Sequence, residues 1–409
     1  MKPERTIIVG GGVGGMAFAA ALERLGLPFV LLERASELGE VGSGLGVLPG
    51  AVRALRTLGV GDELFARGAP FRRFVVCSSR GRELAEVSFT RIFQRAGCPG
   101  YVLHRGALHA ALAARVQRDA IRTGSEVVSM EERGGEVRVL LRDQSVVITG
   151  DLLVGADGLH SVVRQQVIGD GPPRYAGETI FRGISDFTLE RPETCRELFG
   201  DGRRAAYYEL GEGRVYWWAT APLARGTDIP QPGRRAYLEE AFGGWAFDVP
   251  EIIRRTPEHC ILQNDIFDRK PSGRWHRGRA VLLGDAAHPT TPNLGQGACM
   301  AIEDAVVLAR CIVEARHSEE AFARFHERRS RRTARIVRMS RWWGRAGLWK
   351  HPVLIALRDG AMRYGPPGWM ERGGMAQYCY DPGELPAISP DRCADVVSGS
   401  QPPAPAAAP

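Results

Sequence analysis

The segment GGGVGG (Gly10–Gly15) sets five glycines in six positions, between the apolar run beginning at Thr6 and the alanine-rich stretch that ends at Leu25. A backbone without Cβ atoms can bend sharply and let another group approach closely, which few other sequences permit. TIIVG (Thr6–Gly10) is β-rich, Val13 to Leu25 has helical spacing, and LPFVLLER (Leu27–Arg34) returns to a buried strand. The pattern predicts a βαβ unit of about 30 residues, the setting in which a glycine turn gains meaning.

Gly10, Gly12 and Gly15 fit G-x-G-x-x-G. The first allows the tight turn, the second close approach to a pyrophosphate, and the third close helix–strand packing, with phosphates held by amides at the helix start. Glu33, at the end of the second strand, can accept hydrogen bonds from an adenosine ribose, unless it is a solvated strand end. Such turns serve NAD, NADP and FAD alike, so later segments must choose. VGADGLHSVVR (Val154–Arg164) puts Asp157-Gly158 at a strand end before a helix. VLLGDAAHPTTPNLGQGACMAIEDA (Val281–Ala305) puts Asp285 at another strand end, then Gly295-Gln296-Gly297 at a helix start. Asp285 can accept from a polyhydroxyl chain such as ribitol, or simply cap a helix. The Gly297-Ala298-Cys299 amides and the helix dipole suit the delocalised anion of a reduced flavin. NAD has neither feature, so FAD is the cofactor expected.

ALHAALAARV (Ala107–Val116) reads as a helix, and EVRVLLRD with SVVITGDLLVGADG as a hairpin feeding another strand. From about Tyr175 to Phe267 the texture turns aromatic and β-like, as in RVYWWATAP, which predicts a separate antiparallel sheet. A long apolar helix follows Gly297, and Arg-rich helices run from about Glu319 to Arg345. The final SGSQPPAPAAAP is too poor in large apolar groups to fold.

Together, the Gly10–Gly15 turn with Glu33, Asp157-Gly158 and GDAAH…GQG…EDA resemble the class A flavoprotein aromatic hydroxylases, the single-component monooxygenases similar to para-hydroxybenzoate and salicylate hydroxylases. The resemblance runs from Thr6 to Arg345. TTPNLGQGACMAIEDAVVLA looks most like urate hydroxylases and zeaxanthin epoxidases, which also carry a cysteine two residues after GQG. Gly50 departs from the asparagine usual in the family.

The fold implied is α/β: a Rossmann-like FAD-binding domain of the para-hydroxybenzoate hydroxylase type, an interleaved antiparallel β-sheet substrate domain, and C-terminal helices. Its segments would be 1–74, 101–174 and 271–318 for FAD, 75–100 and 175–270 for substrate, 319–390 helical and 391–409 a disordered tail. By the same resemblance, Glu33 with Arg34 would hold the adenosine ribose, and Ser43 or Gly44 would lie near the diphosphate or ring. Arg105 would meet the phosphate or ribityl region, or else make a surface ion pair. Asp285 would bind the ribityl chain, and Gly295, Gly297, Ala298 and Cys299 would border the flavin pyrimidine edge. Asp157 resembles a residue associated with both FAD and NAD(P)H binding. Arg204 and Tyr216 match an anchoring arginine and tyrosine, with Trp218 and Pro292 in the substrate pocket and Arg182 on the flavin side. Arg204 could equally form a structural salt bridge, and the aromatics could fill a sheet core. His288 is expected to pack in its loop.

The implied chemistry is reduction of FAD by NADH or NADPH, then reaction with O₂ to a C4a-hydroperoxide that hydroxylates an aromatic or N-heteroaromatic molecule. No G-x-S-x-G or HExxH is present, as expected where the cofactor carries the chemistry. The alternatives are a flavin-dependent epoxidase of an isoprenoid-like olefin, favoured by a lipophilic pocket without a use for Arg204, and a flavin-binding regulator without turnover. A geranylgeranyl-type reductase shares the first motif, but GQGACMAIEDA fits the hydroxylases better.

Net charge of +7 comes mainly from arginine and suits an anionic cofactor, with no nucleic-acid signature beside it. Eight cysteines without a CxxC pair predict reduced thiols and no metal site. Neither a signal peptide nor an apolar run long enough to cross a bilayer is visible, so a cytoplasmic monomer or dimer is expected.

Overall fold

The computed structural model describes residues 1, 3–39, 43–143, 146–366 and 368–386. Thr6–Val9, Val13–Arg24 and Phe29–Leu32 form the βαβ unit, with Ile7 opposite Val30 and Ile8 opposite Leu31 in parallel register. The first strand is wholly buried, as an interior strand of a parallel sheet must be.

Leu152–Gly155 pairs in parallel with Thr6–Val9 on one side and Ala280–Leu282 on the other. Strand Ile121–Arg122 and the antiparallel His276–Arg277 complete six strands as its edges. Gly10, Asp157 and Asp285 therefore follow the carboxyl ends of three adjacent strands, where open α/β sheets bind ligands. Helix Val13–Arg24 packs on helix Gly297–Glu314, and a Cβ on Gly14 would lie 3.2 Å from that of Ala301. Phe18, Leu31, Val154, Leu282 and Ile302 share this core.

The aromatic stretch forms five strands of a second, seven-stranded sheet, ordered Leu262–Asp268, Arg174–Asp186, Arg214–Ala221, Arg204–Gly211, Thr194–Phe199, then Arg73–Ser78 and Glu83–Ser88. Its pairings are antiparallel except that of Thr194–Phe199 with Arg73–Ser78. Strand alternation sorts VYWW: Trp217 packs with Phe181, Phe242 and Ile252 under helices Arg234–Phe242 and Val249–Arg255, while Tyr216 and Trp218 take the other face.

The Arg-rich stretch is one 30-residue helix, Ser318–Gly347, not several. It buries Phe322, Phe325, Ile336 and Trp343, and shorter helices Pro352–Tyr364 and Trp369–Tyr378 follow. The helix expected from Ala107 to Val116 runs instead from Arg105 to Ala113, starting straight after strand Tyr101–His104. Among the described residues no helix is long and apolar enough to cross a membrane, and no cluster of His, Cys, Asp or Glu could hold a metal. The proposed tail 391–409 lies outside the described residues.

Candidate active site

The glycine turn is set by contacts. Gly10 has φ +103°, and a Cβ there would lie 2.5 Å from the Ala156 carbonyl oxygen; one on Gly15 would lie 1.9 Å from the Gly10 oxygen. Gly12, by contrast, has no atom of the described residues within 4 Å of a Cβ position, at the start of helix Val13–Arg24. The backbone is thus packed shut at the first and third glycines and open at the second. Glu33 is held beside it, accepting from the Gly11 amide at 2.6 Å and the Ala35 amide at 2.9 Å. His109 Nε2 lies 2.7 Å from the Gly11 carbonyl oxygen, while Arg34 is exposed.

Asp157 accepts from Ser161 Oγ at 2.5 Å and the Val162 amide at 2.7 Å, fastening the start of helix Val162–Val167. Burial raises its carboxyl pKa against these bonds. Asp285 is solvent-accessible at the base of a notch walled by protein. Those walls raise its pKa, opposed by His288 and Arg105. Desolvation lowers the pKa of Arg105, which feels Asp285, Arg182 and Tyr216 in turn, so these four groups converge. Arg105 is fixed by its amide, which donates to the carbonyl of the buried Ser43 at 2.9 Å. Arg182 donates to Asn264 Oδ1 at 2.7 Å. Tyr216 packs against Gly44, where a Cβ would come within 2.3 Å of its ring.

Gly295, at φ +60°, ends the turn Pro292–Leu294, and helix Gly297–Glu314 begins two residues later. Ala298 is half-buried there. Cys299 turns its thiol away to the Gly46 carbonyl at 3.3 Å, and burial pushes the thiol pKa up to about 12. What remains toward the notch is the run of first-turn amides, which no helix satisfies internally. Beside them Gln296 is 1% exposed, and among the described residues neither side-chain amide atom has a hydrogen-bond partner. An orphaned buried amide costs about 1–3 kcal/mol unless a ligand fills its bonds. Open Gly12, anchored Glu33, Asp285 and orphaned Gln296 fit a flavin dinucleotide lying along the three strand ends.

A cavity of about 890 Å³ opens between the second sheet and the C-terminal helices. Phe71, Phe74, Phe89, Trp218, Trp342 and Trp343 line it, and Pro292 to Gly295 close the end next to Gly297. Trp218 and Pro292 therefore border the cavity, whereas Tyr216 and Arg204 are not part of its wall. Tyr216 stacks on Tyr208 instead, with ring centroids 5.6 Å apart.

Arg204 is 0% exposed. Its guanidinium donates to Glu197 at 3.1 Å, to Glu178 at 3.0 Å and to Asn293 at 2.5 Å. Of the two readings of Arg204, substrate anchor or structural salt bridge, this geometry forms the salt bridge, with two carboxylates neutralising the guanidinium. His288 is locked as expected: its Nε2 lies 2.5 Å from Asp304, which in turn pairs with Arg329 at 2.6 Å. The departure at Gly50 has a cause, since a Cβ there would meet Glu303 Oε1 at 2.5 Å and the Tyr380 carbonyl oxygen at 2.9 Å. Gln296, Asn293 and Glu197 were not singled out from sequence. A glutamate at an inward position of TCRELF was the one available hint.

The FAD binding domain family matches residues 4–175 and 268–340, leaving out the interval that forms five strands of the second sheet. Aurachin C monooxygenase/isomerase of Stigmatella aurantiaca is 39% identical over 365 residues, 89% of this chain and 95% of that protein. The 2-heptyl-3-hydroxy-4(1H)-quinolone synthase of Pseudomonas aeruginosa is 33% identical over 88% of this chain and 94% of its own. Among solved structures, Klebsiella pneumoniae HpxO complexed with FAD and uric acid superimposes with a TM-score of 0.84 at 30% identity, over 92% of this chain and 96% of that one. With the strand-end cradle in place, the chain belongs to the FAD-binding-domain family and is a single-component, FAD-dependent monooxygenase of the class A aromatic hydroxylase type.

Proposed function

We propose that this monooxygenase, consuming NAD(P)H and O₂, hydroxylates a fused N-heteroaromatic ring that carries a long apolar substituent. The cavity carries the proposal. An apolar cavity of about 150 Å³ suffices for benzene, and the 890 Å³ here is about six times that, with aromatic walls. A small aromatic acid would leave most of it wet, and would find the buried Arg204 already paired. The relatives named for aurachin C and for a heptyl quinolone support a tailed heteroaromatic, and the uric acid complex of HpxO supports a heteroaromatic ring.

When bound, FAD accepts reducing equivalents from NAD(P)H and activates O₂. The chain's own task is to hold and shield. The Gly10–Gly15 turn and Glu33 would hold the adenosine diphosphate half, with Arg105 and Asp285 along the ribityl chain. The amides of Gly297, Ala298 and Cys299, with the helix dipole, would stabilise negative charge at the pyrimidine edge. Trp218 and Pro292 would flank the reacting ring, with Arg182 and Tyr216 on the flavin side. The aromatic walls exclude water, which suppresses unproductive release of peroxide.

The test is NAD(P)H oxidation by the holoenzyme under labelled O₂ with 2-alkyl-4-quinolones, 3-hydroxybenzoate and urate. Stimulation by the alkyl quinolone with one labelled oxygen on its ring is the expected result. Stimulation by hydroxybenzoate or urate alone would overturn the proposal. The same lipophilic cavity and paired Arg204 also favour a second reading, epoxidation of a carbon–carbon double bond in an isoprenoid-like substrate. Label on the olefin rather than the ring would identify it.

A further inference from the structure

Two buried carboxylates share one guanidinium at the inner end of the cavity. Glu178 is 1% exposed and Glu197 2%, and both pair with Arg204. With both ionised, the group carries one surplus negative charge in a dry environment. That is the opposite of what an anionic substrate needs.

Of the two, Glu197 lines the cavity. Cross-strand register places Glu197 opposite Ala206, Ala206 opposite Trp218, and Trp218 opposite Arg182, one row across a single face of the sheet. Glu197 is therefore level with the tryptophan that borders the reacting ring. Its Oε1 accepts from Arg204 at 3.1 Å and from Trp343 Nε1 at 3.2 Å, while among the described residues Oε2 has only the longer 3.3 Å contact with Trp343. A carboxylate oxygen has two lone pairs, so Oε2 keeps acceptor capacity. The cavity's arginines, Arg335, Arg338 and Arg372, stand on the helical wall and are exposed, which places them at the mouth. The buried end is acceptor-rich and the outer end cationic. Burial also raises the Glu197 pKa, with Arg204 opposing, as expected of a carboxylate short of partners.

We propose that Glu197 is the specificity-determining acceptor of this cavity, taking a hydrogen bond from the ring N–H or O–H of a neutral heteroaromatic and turning away carboxylate-bearing rings. The assignment rests on the proposal above that a tailed heteroaromatic occupies the cavity. Trp343 and Arg204 hold the carboxylate in place, and Asn293, bonded to the same guanidinium, closes the polar end. The apolar remainder takes the tail without discriminating its chemistry.

The experiment measures binding to the FAD holoenzyme by perturbation of the flavin absorbance, which needs no turnover. The probes are 2-heptyl-4-quinolone, its N-methyl derivative and 3-hydroxybenzoate. The wild type should bind the N–H quinolone about 10–100-fold more tightly than the N-methyl compound, about 1.4–2.8 kcal/mol at 1.4 kcal/mol per decade. Glu197→Gln should shrink that ratio at least fivefold and strengthen binding of 3-hydroxybenzoate. In turnover it should raise KM more than it lowers kcat. An unchanged ratio in a Glu197→Gln protein with normal FAD content and melting temperature overturns the assignment; Glu197→Asp, which keeps the charge, should retain part of the discrimination. Discrimination without hydroxylation would leave Glu197 assigned and defeat the proposed reaction instead. Binding of neither quinolone would defeat both.

Discussion

Replacing Arg204 with methionine separates a buried structural cation from a substrate anchor. The side chain is wholly enclosed, with ion pairs to Glu178 and Glu197, a bond to Asn293, and its guanidinium 5.4 Å from the Trp218 ring. Arg204→Met fills similar space but strands two carboxylates in a dry site. Breaking a buried pair in this way costs about 3–5 kcal/mol. At about 2.1 cal/mol/K of unfolding entropy per residue, a cooperative chain of roughly 400 residues loses about 4–6 °C of melting temperature. Scanning fluorimetry on FAD-saturated protein reads that loss directly. Adding Glu178→Gln removes one stranded charge, so the double variant should recover at least 1 kcal/mol, a non-additivity expected of neighbours. A melting temperature within one degree of wild type, with a large rise in KM for an acidic substrate, would refute this reasoning. Arg204 would then be free to bind an anion.

Three other perturbations follow from the same geometry. Gly15→Ala drives a Cβ into the Gly10 carbonyl at 1.9 Å, so the purified variant should lose its yellow colour; full flavin absorbance would contradict the packing. Gly50→Asn, which restores the family residue, must displace Glu303 or the Tyr380 carbonyl, and overpacking of this kind costs about 1–3 kcal/mol. Faster limited proteolysis beyond Cys379 is the expected sign. Finally, burial alone would raise the Asp304 pKa, but His288 and Arg329 outweigh it and hold it below the usual value. A carboxyl depressed on folding adds stability above its unfolded pKa of about 3.9 and loses it as pH falls through the folded one. Asp304→Asn should therefore lower stability at neutral pH and flatten its fall below about pH 4, as urea melts across pH would show.

The strand-end groups proposed to cradle FAD were legible because their signals are local. Gly10, Gly12, Gly15 and Glu33 fall within one βαβ unit, and Asp157 and Asp285 each mark the end of an apolar strand whose length and flanks betray it. The wall of the cavity was not legible, because it is built from separate parts of the chain. Phe71 and Phe89 meet Trp218 and Trp342 only when the second sheet and the Ser318–Gly347 helix pack together. Arg204 shows the same limit: its environment depends on Glu178, Glu197 and Asn293, which nothing in RRAAYYEL announces. Gly50 was visible as a departure, but its cause lies in Glu303 and Tyr380, both more than two hundred residues away.

The reaction itself is tested most directly by mass analysis of product formed by the FAD holoenzyme from 2-heptyl-4-quinolone, NAD(P)H and isotopically labelled O₂. One labelled oxygen atom on the ring, formed in step with NAD(P)H consumption, is the outcome predicted here. Consumption that ends wholly in labelled hydrogen peroxide or water, with the quinolone recovered unchanged, would contradict it.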